Sequence, residues 1–103
     1  MKPERIQEQV TVPGDAAGAV QDFLDDHAGW GLGAGGSRLI REYRFLNSRI
    51  AAAFTQFVAE VADALDQPLT AELRADELRL VVGSGAVLTP RDLELAEAIA
   101  QVS

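Results

Sequence analysis

Between Phe45 and Asn47 the apolar residues change from alternate positions to helical spacing, and no other feature of the chain constrains its fold as strongly. Before the switch, Leu39, Arg41, Tyr43 and Phe45 alternate with Ile40, Glu42 and Arg44. That pattern predicts a strand over Leu39 to Phe45, with the first set on the core face and Arg41 snorkelling to an edge. After the switch, Ile50, Phe54, Phe57, Val58, Val61 and Leu65 form a helical stripe behind an Asn47 or Ser48 cap. Ala51-Ala52-Ala53 raises helix propensity and permits close packing. The helix is expected to stop before Pro68, because the residue preceding proline avoids helical angles. A strand that runs straight into a long amphipathic helix calls for a sheet with a helix packed on it.

The flanking segments repeat the scheme. A first helix is expected from about Asp15, as N-cap, to Ala28, with Ala16, Val20, Phe23, Leu24 and His27 on one stripe. Gly29 suits a left-handed stop, after which Trp30 can fold back on the last turn. Gly31 to Ser37 reads as a loose strand and hairpin turn. It lacks the lysine and spacing of a phosphate loop and leads into a strand rather than a helix. Past Pro68, strands are expected at about Thr70–Ala75 and Leu78–Gly83, turning at Asp76-Glu77. Thr89, Pro90 and Asp92 then open a last helix with a capping-box arrangement, burying Leu93, Ala96, Ile99 and Ala100. The order helix, hairpin, helix, hairpin, helix gives an α+β fold with helices on one face of an antiparallel sheet.

A chain of 103 residues suits one domain, assigned to 13–103 behind an arm at 1–12. A domain of this size buries only about 60–70% of its unfolded surface, so self-association would help to stabilise it. No apolar run approaches the ~18 residues that span a bilayer, and the start is too polar for a secretory signal. A cytoplasmic protein away from membranes is therefore expected. With no cysteine there are no disulfides, thiol nucleophiles or thiolate ligands.

The net charge of −7 argues against binding nucleic acid, which requires neutralisation of phosphates. Yet residues 31–57 carry a net +3, from Arg38, Arg41, Arg44 and Arg49 against Glu42. These arginines read either as a solvated face paired with neighbouring acids or as a docking surface for an acidic partner. Chemistry is otherwise sparse. His27 is the one histidine, which excludes a multi-histidine metal site. No serine is marked as part of a triad, and no carboxylate pair stands out.

Gly29-Trp30, then Leu39-x-Arg41-x-Tyr43-x-Phe45, then Ala51-x-x-Phe54-x-x-x-Val58-Ala59 with Ala62, and finally Leu88-Thr89-x-x-Asp92-x-x-Leu95-Ala96 follow one another along the chain. Taken in that order, these segments resemble the pterin-4a-carbinolamine dehydratases. The resemblance covers about residues 14–102. It implies a four-stranded antiparallel sheet with three helices on one face, often assembled through sheet edges and helices into dimers or tetramers.

The catalytic elements of that family do not match. The resemblance places a His-His-Pro motif after the long helix, where this chain reads Asp66-Gln67-Pro68. It places a further histidine after the last strand, where the chain reads Gly83-Ser84-Gly85-Ala86. Gln67, Pro68, Ser84 and Gly85 thus mark a degenerate former active site, and Gln67 has no proton that titrates near neutral pH. The resemblance points to the non-catalytic branch that includes the Rubisco assembly factors encoded with α-carboxysome genes. It implies a homodimer or tetramer without cofactor or metal that chaperones the Rubisco large subunit. A retained dehydratase activity, another protein-binding scaffold and a transcriptional coactivator are the alternatives.

Overall fold

The computed structural model describes residues 12–102, with side chains from Gly18 onward except that of Ala34. The expected N-terminal arm, Val12 apart, lies outside the described residues. Helix α1 spans Val12–Asp26, starting earlier than the sequence pattern predicts because Pro13 is well suited to a first helical turn. The short strand β1, Trp30–Leu32, follows, then a single 3-10 turn at Ala34–Gly36 and strand β2, Leu39–Arg44. Helix α2 is Ser48–Ala64; strands β3 and β4 are Leu69–Arg74 and Glu77–Val82; helix α3 is Pro90–Val102. The second hairpin turns at Ala75-Asp76, one residue before the expected position.

The four strands form one antiparallel sheet in the order β1-β2-β4-β3. Register sets the two faces. Leu39 lies opposite Val82, Arg41 opposite Leu80 and Tyr43 opposite Leu78, so the alternation in β2 meets a matching alternation in β4. Leu78, Leu80 and Val82 are fully buried, each contributing about 1.5–3 kcal/mol relative to an exposed side chain. Helices α2 and α3 pack on this inner face, and α1 packs on α3. The outer face carries Glu42, Arg79 and Glu72 in one row and Arg44, Glu77 and Arg74 in the next. Arg79 reaches Glu42 at 3.8 Å and Glu72 at 3.9 Å, and Arg44 pairs with Glu77. These exposed pairs add little stability singly, but they fix an alternating charge pattern.

Helix α2 departs from its sequence reading. Its buried residues are Ala51, Val58 and Ala62, whereas Ile50 and Phe57 are both 44% exposed. The small alanines let the helix approach the sheet closely, and the apolar stripe is wider than the face the sheet covers. Phe54, Val61 and Leu65 sit at the margin, packed against the core. Asn47 caps the helix by accepting a bond from Ile50 N at 2.9 Å. In α3 the sequence reading missed Leu95, which is fully buried alongside Ala96 and Ile99.

Gly29 ends the turn after α1 with φ 96°, and a Cβ there would lie 2.6 Å from the Arg41 guanidinium. Trp30 then folds back so that its ring meets Phe23 edge-on at 5.4 Å.

Candidate functional site

The end of α2 is built before any function enters. Asp66 N–H donates to Asp63 O and Gln67 N–H to Ala62 O, both at 3.0 Å, with Asp66 in the left-handed region at φ 55°. This is a Schellman motif in which aspartate occupies the position usually held by glycine. Its geometry turns the chain through Pro68 into β3 and aims the Gln67 side chain at the start of α3.

There Asp92 is only 5% exposed. Its N–H donates to Thr89 Oγ1 at 3.2 Å, and its Oδ2 accepts from Thr89 N–H at 2.9 Å, closing the capping box expected from sequence. Its remaining oxygen, Oδ1, accepts from Gln67 Nε2 at 3.0 Å. A carboxylate this deeply buried requires donors on both oxygens, and it has them. Arg91, one residue earlier, donates from its guanidinium to Leu65 O at 2.7 Å. That contact satisfies an orphan carbonyl and places a cation at the negative end of α2. Two adjacent residues of α3 thus hold the α2–β3 turn.

The second sequence-predicted segment, Gly83-Ser84-Gly85, leaves the sheet at the same end, because Val82 lies opposite both Leu69 and Leu39. Gly83 has φ 112°, and a Cβ there would lie 2.6 Å from Ser37 O and 3.0 Å from Leu88, so only glycine fits. Arg38 bridges the loop by donating to Gly85 O at 2.8 Å, to Ser37 O at 3.1 Å and to Ser37 Oγ at 3.0 Å. Gln67, Pro68, Ser84 and Gly85 therefore gather at one end of the sheet. Ser84 and Gly85 are exposed, as is Pro68, and Gln67 is half-buried.

The four arginines do not gather. Arg38 is tied to the loop just described. Arg41 points to the inner face, where its guanidinium lies 4.2 Å above the Tyr43 ring and donates to Glu42 O at 2.8 Å. Arg44 points to the outer face and pairs with Glu77. Arg49 is exposed in the first turn of α2. The positive stretch of sequence becomes four separate environments, because successive strand residues face opposite sides of the sheet.

The chemistry of this end of the sheet is that of a hydrogen-bonded lock. Gln67 offers an amide donor and Thr89 a hydroxyl, and Asp92 has both oxygens engaged. His27 directly follows α1, with its ring 4.7 Å from that of Phe23, and none of its described contacts reaches the Gln67 turn. Among the described residues no group of histidine, cysteine, aspartate or glutamate side chains could hold a metal, and no helix is long and apolar enough to cross a membrane. The sequence reading missed the links from Gln67 to Asp92 and from Arg91 to Leu65. Their only sequence signal is the aspartate of the capping box, and nothing there identifies its second partner.

Comparison with known proteins agrees with this architecture. The family model described as pterin 4 alpha carbinolamine dehydratase matches residues 16–102. Among solved structures, the chain is similar to a transcriptional coactivator/pterin dehydratase from Brucella melitensis. The two superpose with a TM-score of 0.69 at 21% identity, over 79% of this chain and 92% of the other. No curated protein sequence matches.

Proposed function

The chain belongs to the pterin-4a-carbinolamine dehydratase family, and from that premise we propose that it is a non-catalytic member, a homodimeric assembly factor for the Rubisco large subunit. The observation that carries this reading is the state of Gln67. It occupies a position where the family resemblance calls for histidine, and its side chain is held at 3.0 Å on buried Asp92. A general acid or base needs an exchangeable proton near neutral pH, and a primary amide has none. Neither Ser84 nor Gly85 supplies an imidazole at the other position. What persists is the scaffold, with its glycine-dependent loop and its capped helices.

A scaffold of this kind acts by presenting surface. Helix α2 and the residue before its cap expose Leu46, Ile50 and Phe57, with Arg49 next to Ile50, an apolar set with a basic neighbour that suits a partner surface carrying apolar and acidic groups. By this reading the protein turns over no substrate and needs no cofactor, and it works in the cytoplasm.

Two measurements test the proposal. Purified protein is expected to leave the dehydration of a 4a-carbinolamine pterin at its background rate, and acceleration would overturn the non-catalytic reading. Co-expression with Rubisco subunits is expected to raise the yield of assembled enzyme. An unchanged yield would overturn the assembly role and leave a scaffold for another partner.

A further inference from the structure

Arg38 is held at both ends of its side chain. At the near end it packs beside Gly33, where a Cβ would lie 3.3 Å from the Arg38 Cβ and 3.0 Å from Ile40 Cδ1. Arg38 therefore stands with Ile40 on the outer face, away from the helices. At the far end one nitrogen, Nη1, donates to Ser37 O, Ser37 Oγ and Gly85 O at 3.1, 3.0 and 2.8 Å. Nε and Nη2 have no partner among the described residues. Both reach solvent, because the Tyr43 hydroxyl is the one buried, unpaired side-chain polar atom among those residues. Nε and Nη2 form the side edge of a guanidinium, which can engage two oxygens of one anion at once.

The surroundings of that edge are rich in donors and poor in acceptors. Among the described residues no carboxylate lies within ion-pair distance of Arg38, whereas Arg44 and Arg79 have Glu77, Glu42 and Glu72. In a chain of net charge −7, an immobilised and uncompensated guanidinium is a local positive point. Ser37 Oγ accepts from Arg38, so its own proton is free to donate. The loop to which Arg38 is bonded is exposed at Ser84, Gly85, Ala86 and Val87. The N–H groups of these four residues donate to nothing among the described residues.

We propose that Arg38, Ser37 and this loop bind a phosphate group, as the free ion or on a small phosphomonoester. A carboxylate would spend both oxygens on the guanidinium edge and leave the hydroxyl and the loop N–H groups without an acceptor. A phosphate has a third oxygen to receive them. A nucleic-acid backbone needs a row of cations, and beyond Ile40 the outer face instead alternates Glu42, Arg79 and Glu72. Because three hydrogen bonds already hold the guanidinium, little side-chain freedom remains to be lost when the anion binds. The site opens on the face opposite the helices and is separate from the Gln67–Asp92 lock. It is also independent of the Rubisco role.

Titration of the full chain with inorganic phosphate, followed by amide-resolved NMR, tests the site directly. Saturable shifts are expected at the amides of Ser84, Gly85, Ala86 and Val87 and at Arg38 Nε–H. No shifts, or shifts spread evenly over the exposed arginines, overturn the proposal.

Calorimetry with the same probe tests the fork. Arg38→Lys keeps the charge but loses the two-nitrogen edge, and is expected to weaken phosphate binding by about tenfold or more. Arg74→Lys, at an exposed arginine on the same face, is expected to leave binding unchanged. Equal losses in the two variants, or none in Arg38→Lys, overturn the role of Arg38. Acetate is expected to bind about tenfold more weakly than phosphate, and equal affinities overturn the choice of phosphate. Methyl phosphate binding more tightly than the free ion would identify a phosphomonoester as the ligand, and the reverse order the ion itself. Should Arg38→Lys fail to fold, the wild-type amide shifts decide alone.

Discussion

Gln67 donates to Oδ1 of Asp92 at 3.0 Å, joining the turn after α2 to the capping box of α3 across 25 positions of sequence. Asp92 is the one charged side chain that is fully buried among the described residues, and this bond completes its shell of donors. The position where the family resemblance calls for a histidine thus has a structural task. The consequences of that bond, and of four other features of the fold, can be measured.

Gln67→Leu removes the donor and leaves a buried carboxylate oxygen unpaired. The expected loss is about 1–3 kcal/mol, read as a lower urea midpoint at unchanged slope. Asp92→Ala alone is expected to cost about 1–2 kcal/mol through the lost cap. In the double variant the two losses should fall short of additive, because Gln67→Leu has no carboxylate left to strand.

Gly83 and Ala75 make an opposed pair. Both have positive φ, 112° and 56°. Gly83→Ala pushes a Cβ against Ser37 O, and a loss above about 2 kcal/mol is expected in thermal unfolding. Ala75→Gly relieves a left-handed alanine and is expected to raise stability by about 1 kcal/mol.

The hydroxyl of Tyr43 is buried with no hydrogen-bond partner among the described residues, beside Phe45 and Phe54 at ring distances of 5.6 and 5.0 Å. Tyr43→Phe keeps the stacking and the Arg41 contact. It is therefore expected to be neutral or stabilising by up to about 1 kcal/mol, checked by chemical denaturation.

The two sides of α2 should respond differently. Val58→Ala opens a cavity against the sheet, with an expected loss of about 2 kcal/mol, whereas Phe57→Gln on the exposed side should change stability by less than about 1 kcal/mol. If the exposed strip serves a partner, Phe57→Gln weakens capture of unassembled Rubisco subunits while the unfolding midpoint holds.

Arg38 and Arg49 separate structure from docking. Arg38→Met loses the bond to Gly85 O and is expected to lower the midpoint of thermal unfolding by an amount corresponding to about 1 kcal/mol. Arg49→Glu leaves the fold intact, and its expected effect is confined to partner binding in a pull-down.

Much of this architecture was legible in the residues. The switch of period at Asn47, the stop at Pro68 and the Thr89-Pro90-Asp92 start depend on local backbone preferences, and each lies where the sequence places it. The inner and outer faces of β2 and β4 follow from alternation alone. Element ends were less legible. The second hairpin turns at Ala75-Asp76 because strand register, set by the long β2–β4 pairing, overrides alanine's reluctance to take a positive φ.

The amino-acid sequence by itself determined the element order, the strand faces and the lack of an imidazole at Gln67 and Ser84, since periodicity, caps and residue identity are properties of neighbours along the chain. Only the tertiary structure decided that Gln67 locks onto Asp92, that Arg91 holds Leu65, and that α2 buries Ala51, Val58 and Ala62 while leaving Ile50 and Phe57 outside. It also dispersed Arg38, Arg41, Arg44 and Arg49 among a loop, two sheet faces and a helix end. The reason is physical: local preference acts over a few residues, whereas a contact between residues 25 positions apart exists only once packing has brought two helix ends to the same edge of the sheet.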